Sequence, residues 1–146
     1  MPDRSIAIHP TIRLRLLIAE DELMVAWTLV EMVHELGHKV CATVATQDEA
    51  IEAVGRHKPD SVFMDYRLAA GGDGLVAARR IREATDVPII FCTAYGPGLR
   101  TELQALPRTL LVLKPVRMQD LREALDWAGD LRRAGCEVAQ TSESLS

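Results

Sequence analysis

The 146-residue chain is 48% hydrophobic and 26% charged, enough apolar material for the single core that its length predicts, behind a soluble surface. A net charge of -4 gives nucleic acid no footing, and the arginines that do cluster (Arg79, Arg80 and Arg82; Arg132 and Arg133) read as solvated helix faces. Cys41, Cys92 and Cys136 are odd in number, far apart and without CxxC spacing, which excludes a disulfide framework or a zinc site and fits a reducing cytoplasm.

The opening stretch breaks its apolar residues with Arg13 and Arg15 and soon reaches acids, unlike the core of a signal peptide. Residues 1–11 read as a flexible tail. Apolar runs then predict strands at 13–19, 39–45, 61–64, 87–92 and 109–113, and three of these are nearly continuous, as for strands covered on both faces. Helical patterns lie between them, at 22–36 (closed by Gly37), 47–56 (opened by a Thr46/Glu49 capping box), 75–84, a short one near 98–106, and 118–133. Residues 134–146 read as a second flexible tail, leaving one domain over 12–133 with no repeat or linker. No apolar run approaches the roughly 18 residues that a membrane span needs. Strands alternating with helices predict right-handed crossovers and an α/β doubly wound, five-stranded parallel sheet with helices on both faces.

Ligands of open parallel sheets bind outside the carboxyl ends of the strands, so those ends are read together. The first run ends in Glu20-Asp21, the third in Asp65, the fourth in Thr93 and the fifth in Lys114-Pro115. Carboxylates brought together repel, by roughly 4 kcal/mol for a pair 4 Å apart at an effective dielectric of 20. Lys114 offsets one charge, and an all-oxygen set without His or Cys suits a hard divalent ion such as Mg²⁺. A carboxylate attacks phosphorus to form an aspartyl phosphate, with metal and lysine neutralising the phosphoryl oxygens and a threonine hydroxyl donating to one of them.

Through "IAEDE", "VFMDYRL", "FCTAY" and "LVLKPV", over about residues 13–130, the chain resembles the receiver domain of two-component response regulators. The resemblance implies a flavodoxin-like fold of strand order 2-1-3-4-5. It implies that Asp65 takes phosphate from a phosphohistidine on a sensor histidine kinase or histidine phosphotransfer protein. Mg²⁺ is then held directly by Asp21 and Asp65, through water by Glu20, and by the Arg67 carbonyl, while Thr93 and Lys114 contact the phosphoryl group. The Lys114-Pro115 bond is implied to be cis. Such a protein is a phosphoacceptor that catalyses its own phosphorylation and slow dephosphorylation, and not a turnover enzyme. It is expected to be cytoplasmic, to lack a DNA-binding domain, and to signal by contact with a protein target, with no nucleic acid or membrane involved.

The sequence departs from the family at several places. The aromatic switch position three residues before the lysine is Leu111, and Tyr95 is the candidate substitute beside Thr93, since "FCTAY" partly resembles the Phe-Ala-Thr-Gly-x-Tyr signature of alphaproteobacterial single-domain receivers. The glycines of "LAAGGDG" predict a mobile loop after Asp65, and the fourth helix is expected to be short or dynamic. On the first helix Val25, Leu29, Met32 and Leu36 form a core stripe; Leu23, Trp27 and Val30 form a second one, with Trp27 and Val30 as a partner-docking patch. Taken singly, Asp21 reads as a helix N-cap, Asp65 and Thr93 as strand-end residues, and Lys114-Pro115 as a strand stop. His34 and His38 read as surface residues and Cys92 as a core thiol. The competing function is a pseudo-receiver, a protein-binding module that signals without phosphate. A flavin binder is a third reading that fares badly, because "AEDEL" would repel a phosphate after the first strand.

Overall fold

The computed structural model describes residues 12–94 and 97–145. In chain order the elements are β1 (Arg15–Ala19), α1 (Leu23–Glu35), β2 (Lys39–Val44), α2 (Gln47–His57), β3 (Ser61–Asp65), β4 (Arg67–Leu68), β5 (Gly72–Asp73), α3 (Gly74–Ala84), β6 (Ile89–Thr93), α4 (Pro97–Gln104), β7 (Thr109–Leu113) and α5 (Met118–Leu145). Five strands form a parallel sheet in the order β2-β1-β3-β6-β7, the doubly wound, flavodoxin-like arrangement.

Every residue of β3 and β6 is buried, which is why their sequences are apolar without alternation. Alternate side chains still divide between two cores. Leu17, Ala19, Val62, Met64, Ile89 and Phe91 face the buried sides of α2, α3 and α4. Leu16, Ile18, Phe63, Ile90 and Cys92 face α1 and α5. β2 is a half-buried edge strand, shielded by its mixed composition.

Local chemistry sets the boundaries. Thr46 accepts from the Glu49 amide at 3.1 Å while Glu49 accepts from the Thr46 and Ala45 amides, so the capping box opens α2 as expected. These amide bonds hold the Glu49 carboxyl below its usual range. The fourth strand starts at Ile89, later than the predicted 87, because Pro88 has no amide for the ladder and offers only its carbonyl, to Val62. α5 runs on to Leu145, past 133 where the apolar pattern stops, since a polar segment without proline continues a helix readily.

The glycine-rich stretch after Asp65 is not a loose loop. It folds into an antiparallel hairpin, β4 against β5, with Ala70 and Gly71 at φ of 61° and 71° in the turn. Thr46 bridges Ala69, and Gln47 Oε1 accepts from the Asp73 amide at 3.0 Å, so α2 holds the hairpin in place. Asp73 then caps α3 by accepting from the Leu75 amide at 2.7 Å.

α1 is rotated from its predicted phase. Its buried residues are Ala26, Leu29 and Val33, while Val25, Met32 and Leu36 flank them half-buried. Val30 is half-buried and packs in part against this core; the exposed apolar residues of the helix are Leu23, Met24 and Trp27. His38 is a second correction. It is buried, and its Nδ1 accepts from the Leu14 amide at 3.0 Å, satisfying a backbone donor beside the edge strand. Burial pulls its pKa below the usual histidine value.

Candidate phosphoacceptor site

The carboxyl ends of β1, β3, β6 and β7 bring the sequence-predicted residues to one rim, and hydrogen bonds carry the ladder beyond the strands. The Glu20 amide donates to Val44 at 2.9 Å, the Tyr66 amide to Cys92 at 3.2 Å and the Lys114 amide to Thr93 at 2.9 Å. Backbone at Glu20, just beyond Asp65 and at Lys114 is therefore held by the neighbouring strand.

Asp65 is the last residue of β3 and is buried, paired in register with Cys92. Its Oδ2 accepts from Lys114 Nζ at 3.0 Å, and the same ammonium reaches Glu20 Oε1 at 3.3 Å. Glu20 is buried too, and its Oε2 accepts from the Glu22 amide at 3.1 Å. Burial pushes the Glu20 carboxyl up to about 7; the Glu22 amide opposes this, the charge of Asp65 adds to it and Lys114 opposes it. Burial acts downward on the Lys114 ammonium, but its hydrogen bond to Asp65 and the two carboxylate charges hold it above the usual lysine value. Burial also pushes the Cys92 thiol up to about 12, which leaves it an inert core group.

Asp21 is exposed, and it does not cap α1: the cap position is Glu22, whose side chain makes no capping bond. Asp21 instead brings a carboxylate to the cluster. Oxygens of Glu20, Asp21 and Asp65 lie within 4.8 Å of one another. This hard, all-oxygen donor set, with Glu20 and Asp65 buried and Lys114 the ammonium beside them, fits a divalent cation.

An open cleft of about 600 Å³ spreads over this rim, lined by Asp21, Asp65, Thr93, Lys114 and Arg67. The Lys114-Pro115 peptide is cis. Tyr66, Leu99 and Glu102 also line the cleft. Tyr66 follows Asp65 directly and lies within reach of the strand-end argument; Leu99 and Glu102 come from α4 and carry no local signal. Leu111 pairs with Phe91 and packs, half-buried, on the α4 side of the sheet. Tyr95 lies outside the described residues.

Residues 16–126 match the family model for the response regulator receiver domain. The chain belongs to the response regulator receiver family. Among curated relatives it is 32% identical over 136 residues to the transcriptional regulatory protein PdtaR of Mycobacterium tuberculosis, covering 90% of this chain and 66% of that one. The chain thus spans just under two thirds of that relative. Among solved receivers, the solution structure of the PhyR response regulator REC domain of Erythrobacter litoralis is 38% identical with a TM-score of 0.71, covering 80% of this chain and 89% of that one. The receiver domain of sensor histidine kinase PA1611 from Pseudomonas aeruginosa PAO1, 29% identical with a TM-score of 0.70, covers 81% of this chain and 99% of that chain. It has a magnesium ion coordinated in its active-site cleft. The resemblance to the alphaproteobacterial group agrees with the PhyR similarity. No helix among the described residues is long and apolar enough to cross a membrane.

Proposed function

We propose that this receiver accepts a phosphoryl group on Asp65 from the phosphohistidine of a sensor histidine kinase or histidine phosphotransfer protein, in a Mg²⁺-dependent reaction, and signals by protein contact in the cytoplasm. The observation that carries the reading is Asp65 Oδ2 held 3.0 Å from Lys114 Nζ at the floor of a cleft that Asp21 and Thr93 also line. Asp65 is the nucleophile and forms the new oxygen–phosphorus bond as the bond to the donor's imidazole nitrogen breaks. Lys114 stays near and offsets charge on the phosphoryl oxygens, and the Thr93 hydroxyl donates to one of them. Glu20, Asp21, Asp65 and the Arg67 carbonyl would hold Mg²⁺, which supplies charge neutralisation when bound. In autodephosphorylation water attacks the phosphorus, the bond to Asp65 breaks, and inorganic phosphate leaves, returning Asp65 to its carboxylate.

Intact mass tests this reading. After incubation with Mg²⁺ and acetyl phosphate, or with autophosphorylated histidine kinases, wild type should gain one phosphate, Asp65→Asn none, and EDTA should abolish the gain. No gain from either donor would favour the phosphorylation-independent pseudo-receiver.

The exposed face of α1 is the proposed docking surface. Leu23, Met24 and Trp27 are exposed there, and Met24 borders an apolar groove of about 510 Å³ that continues to Pro115 and Val116 beside Lys114. A large aromatic next to such a groove is a suitable anchor for a phosphodonor's helical bundle. Trp27→Asp should lower kcat/KM for transfer from a phosphorylated kinase by roughly tenfold or more, the loss of one interface hot spot. Uptake from acetyl phosphate, which needs no docking, should stay unchanged. Equal transfer from the kinase to both proteins would remove Trp27 from the interface.

A further inference from the structure

Helix α4 is an eight-residue helix whose hold on the sheet rests on Leu99 and Leu103, both buried, over half-buried Leu111. Leu99 and Glu102 are three apart and share the edge of the helix that faces the phosphoacceptor cleft. A short helix packed by two leucines therefore places an acidic residue, the exposed Glu102, on the lining of the cavity that Asp65 also lines. Among the described residues no cation pairs with Glu102, although Arg67 lines the same cleft. The position where many receivers carry a rotating aromatic is filled by an aliphatic residue with no polar tip, so a hydroxyl-to-phenol relay cannot start from Leu111.

We propose that Glu102 is a positioning residue that couples the state of Asp65 to the docking of α4. The inference rests on the phosphoacceptor reading above. An aspartyl phosphate replaces the single charge of the Asp65 carboxylate with about -1.5 to -2 on a group that projects into the cleft, so beside the same Lys114 and Mg²⁺ the rim gains up to about one negative charge, which repels a neighbouring acidic side chain. The repulsion acts on Glu102 and, through its helix, on the two leucines, loosening α4 and uncovering the apolar surface around Leu99, Leu103 and Leu111. The lever works through charge, so it needs no aromatic switch. It also gives α4 the sign of its response, release on phosphorylation.

Amide exchange and intact mass, measured on the same samples of wild type, Glu102→Gln and Glu102→Lys with Mg²⁺ and with or without acetyl phosphate, test this. Phosphorylated wild type should exchange roughly tenfold faster over residues 97–104 than the unphosphorylated protein, as expected for a like charge introduced near a weakly held helix. Glu102→Gln should take up the same single phosphate with less than about a twofold change in exchange, and Glu102→Lys should slow exchange on phosphorylation. Equal acceleration in wild type and Glu102→Gln, at equal phosphate content, would overturn the lever and leave Asp65 as the acceptor. A wild type that gains no phosphate mass would overturn the functional reading and the lever together.

Discussion

Gly74→Ala is expected to lower the stability of the fold by about 1–3 kcal/mol, the usual effect of forcing extra volume into packed structure. It should also slow phosphate uptake at Asp65 by roughly tenfold or more, as small misplacements of a reacting group do. A Cβ at Gly74 would overlap the carbonyl oxygen of Asp65 and stand 3.1 Å from the Tyr66 Cα. Both are backbone atoms at the end of β3, so no side-chain rotation relieves the clash. The Gly74 amide also donates to the Tyr66 carbonyl at 2.7 Å, which ties the start of α3 to the residue after Asp65. A displacement there moves Asp65 against Lys114, whose ammonium it meets at 3.0 Å. Gly55, in α2, is the control: a Cβ there would meet nothing within 4 Å. Alanine at that position should be neutral or stabilising by about 0.5–1 kcal/mol through helix propensity. Urea unfolding with intact-mass time courses checks both. An unchanged midpoint and uptake rate in Gly74→Ala would show that the contact is not needed.

The need for glycine at this position illustrates what a sequence can and cannot display. Asp65 and Thr93 are legible because each ends a strand, and Lys114 because it directly follows one, and the carboxyl ends of a parallel sheet meet on one edge whatever the details of packing. Glu102 and Leu99 are not, because their place over the cleft depends on how α4 lies across β6 and β7, a tertiary relation without local pattern. The phase of α1 escapes the apolar pattern for a related reason. Ala26 is small and carries little weight in such a pattern, yet it is buried, whereas the conspicuous Trp27 beside it faces solvent. The hairpin after Asp65 is hidden by its own composition. Glycine permits mobility, but here it serves a tight turn and a close approach, and the Gln47 and Thr46 contacts that hold the hairpin come from a different part of the chain. His38 reads as a surface residue only because its partner, the Leu14 amide, is 24 positions away.

In the absence of divalent cations, Glu20→Gln is expected to be more stable than wild type at pH 8, by roughly 1–3 kcal/mol, and nearly equal to it at pH 5. The sign follows from the direction of the shift. Glu20 ionises near 4.5 in the unfolded chain and at about 7 in the fold, where burial disfavours its charge. The fold therefore binds this proton more tightly than the unfolded chain does. Its contribution to stability is complete below about 4.5 and is lost as pH climbs through about 7. Above that, two buried carboxylates, those of Glu20 and Asp65, share the single ammonium of Lys114 at 3.3 and 3.0 Å. Glutamine keeps one acceptor oxygen, enough for the Glu22 amide that Oε2 now meets or for the lysine that Oε1 now meets, while removing one of the charges. Mg²⁺ should reverse the order at pH 8, because a cation stabilises the native state in proportion to its affinity, and the wild-type site with its full set of carboxylates binds it more tightly. Denaturant titrations of both proteins at both pH values, with EDTA and with Mg²⁺, measure these differences. A wild type more stable than Glu20→Gln at pH 8 in EDTA would mean that the acidic cluster is satisfied without a metal. The expected order would instead mean that the fold accepts a loss of stability at neutral pH to keep a cation site beside Asp65, a trade-off that sites built for chemistry commonly make.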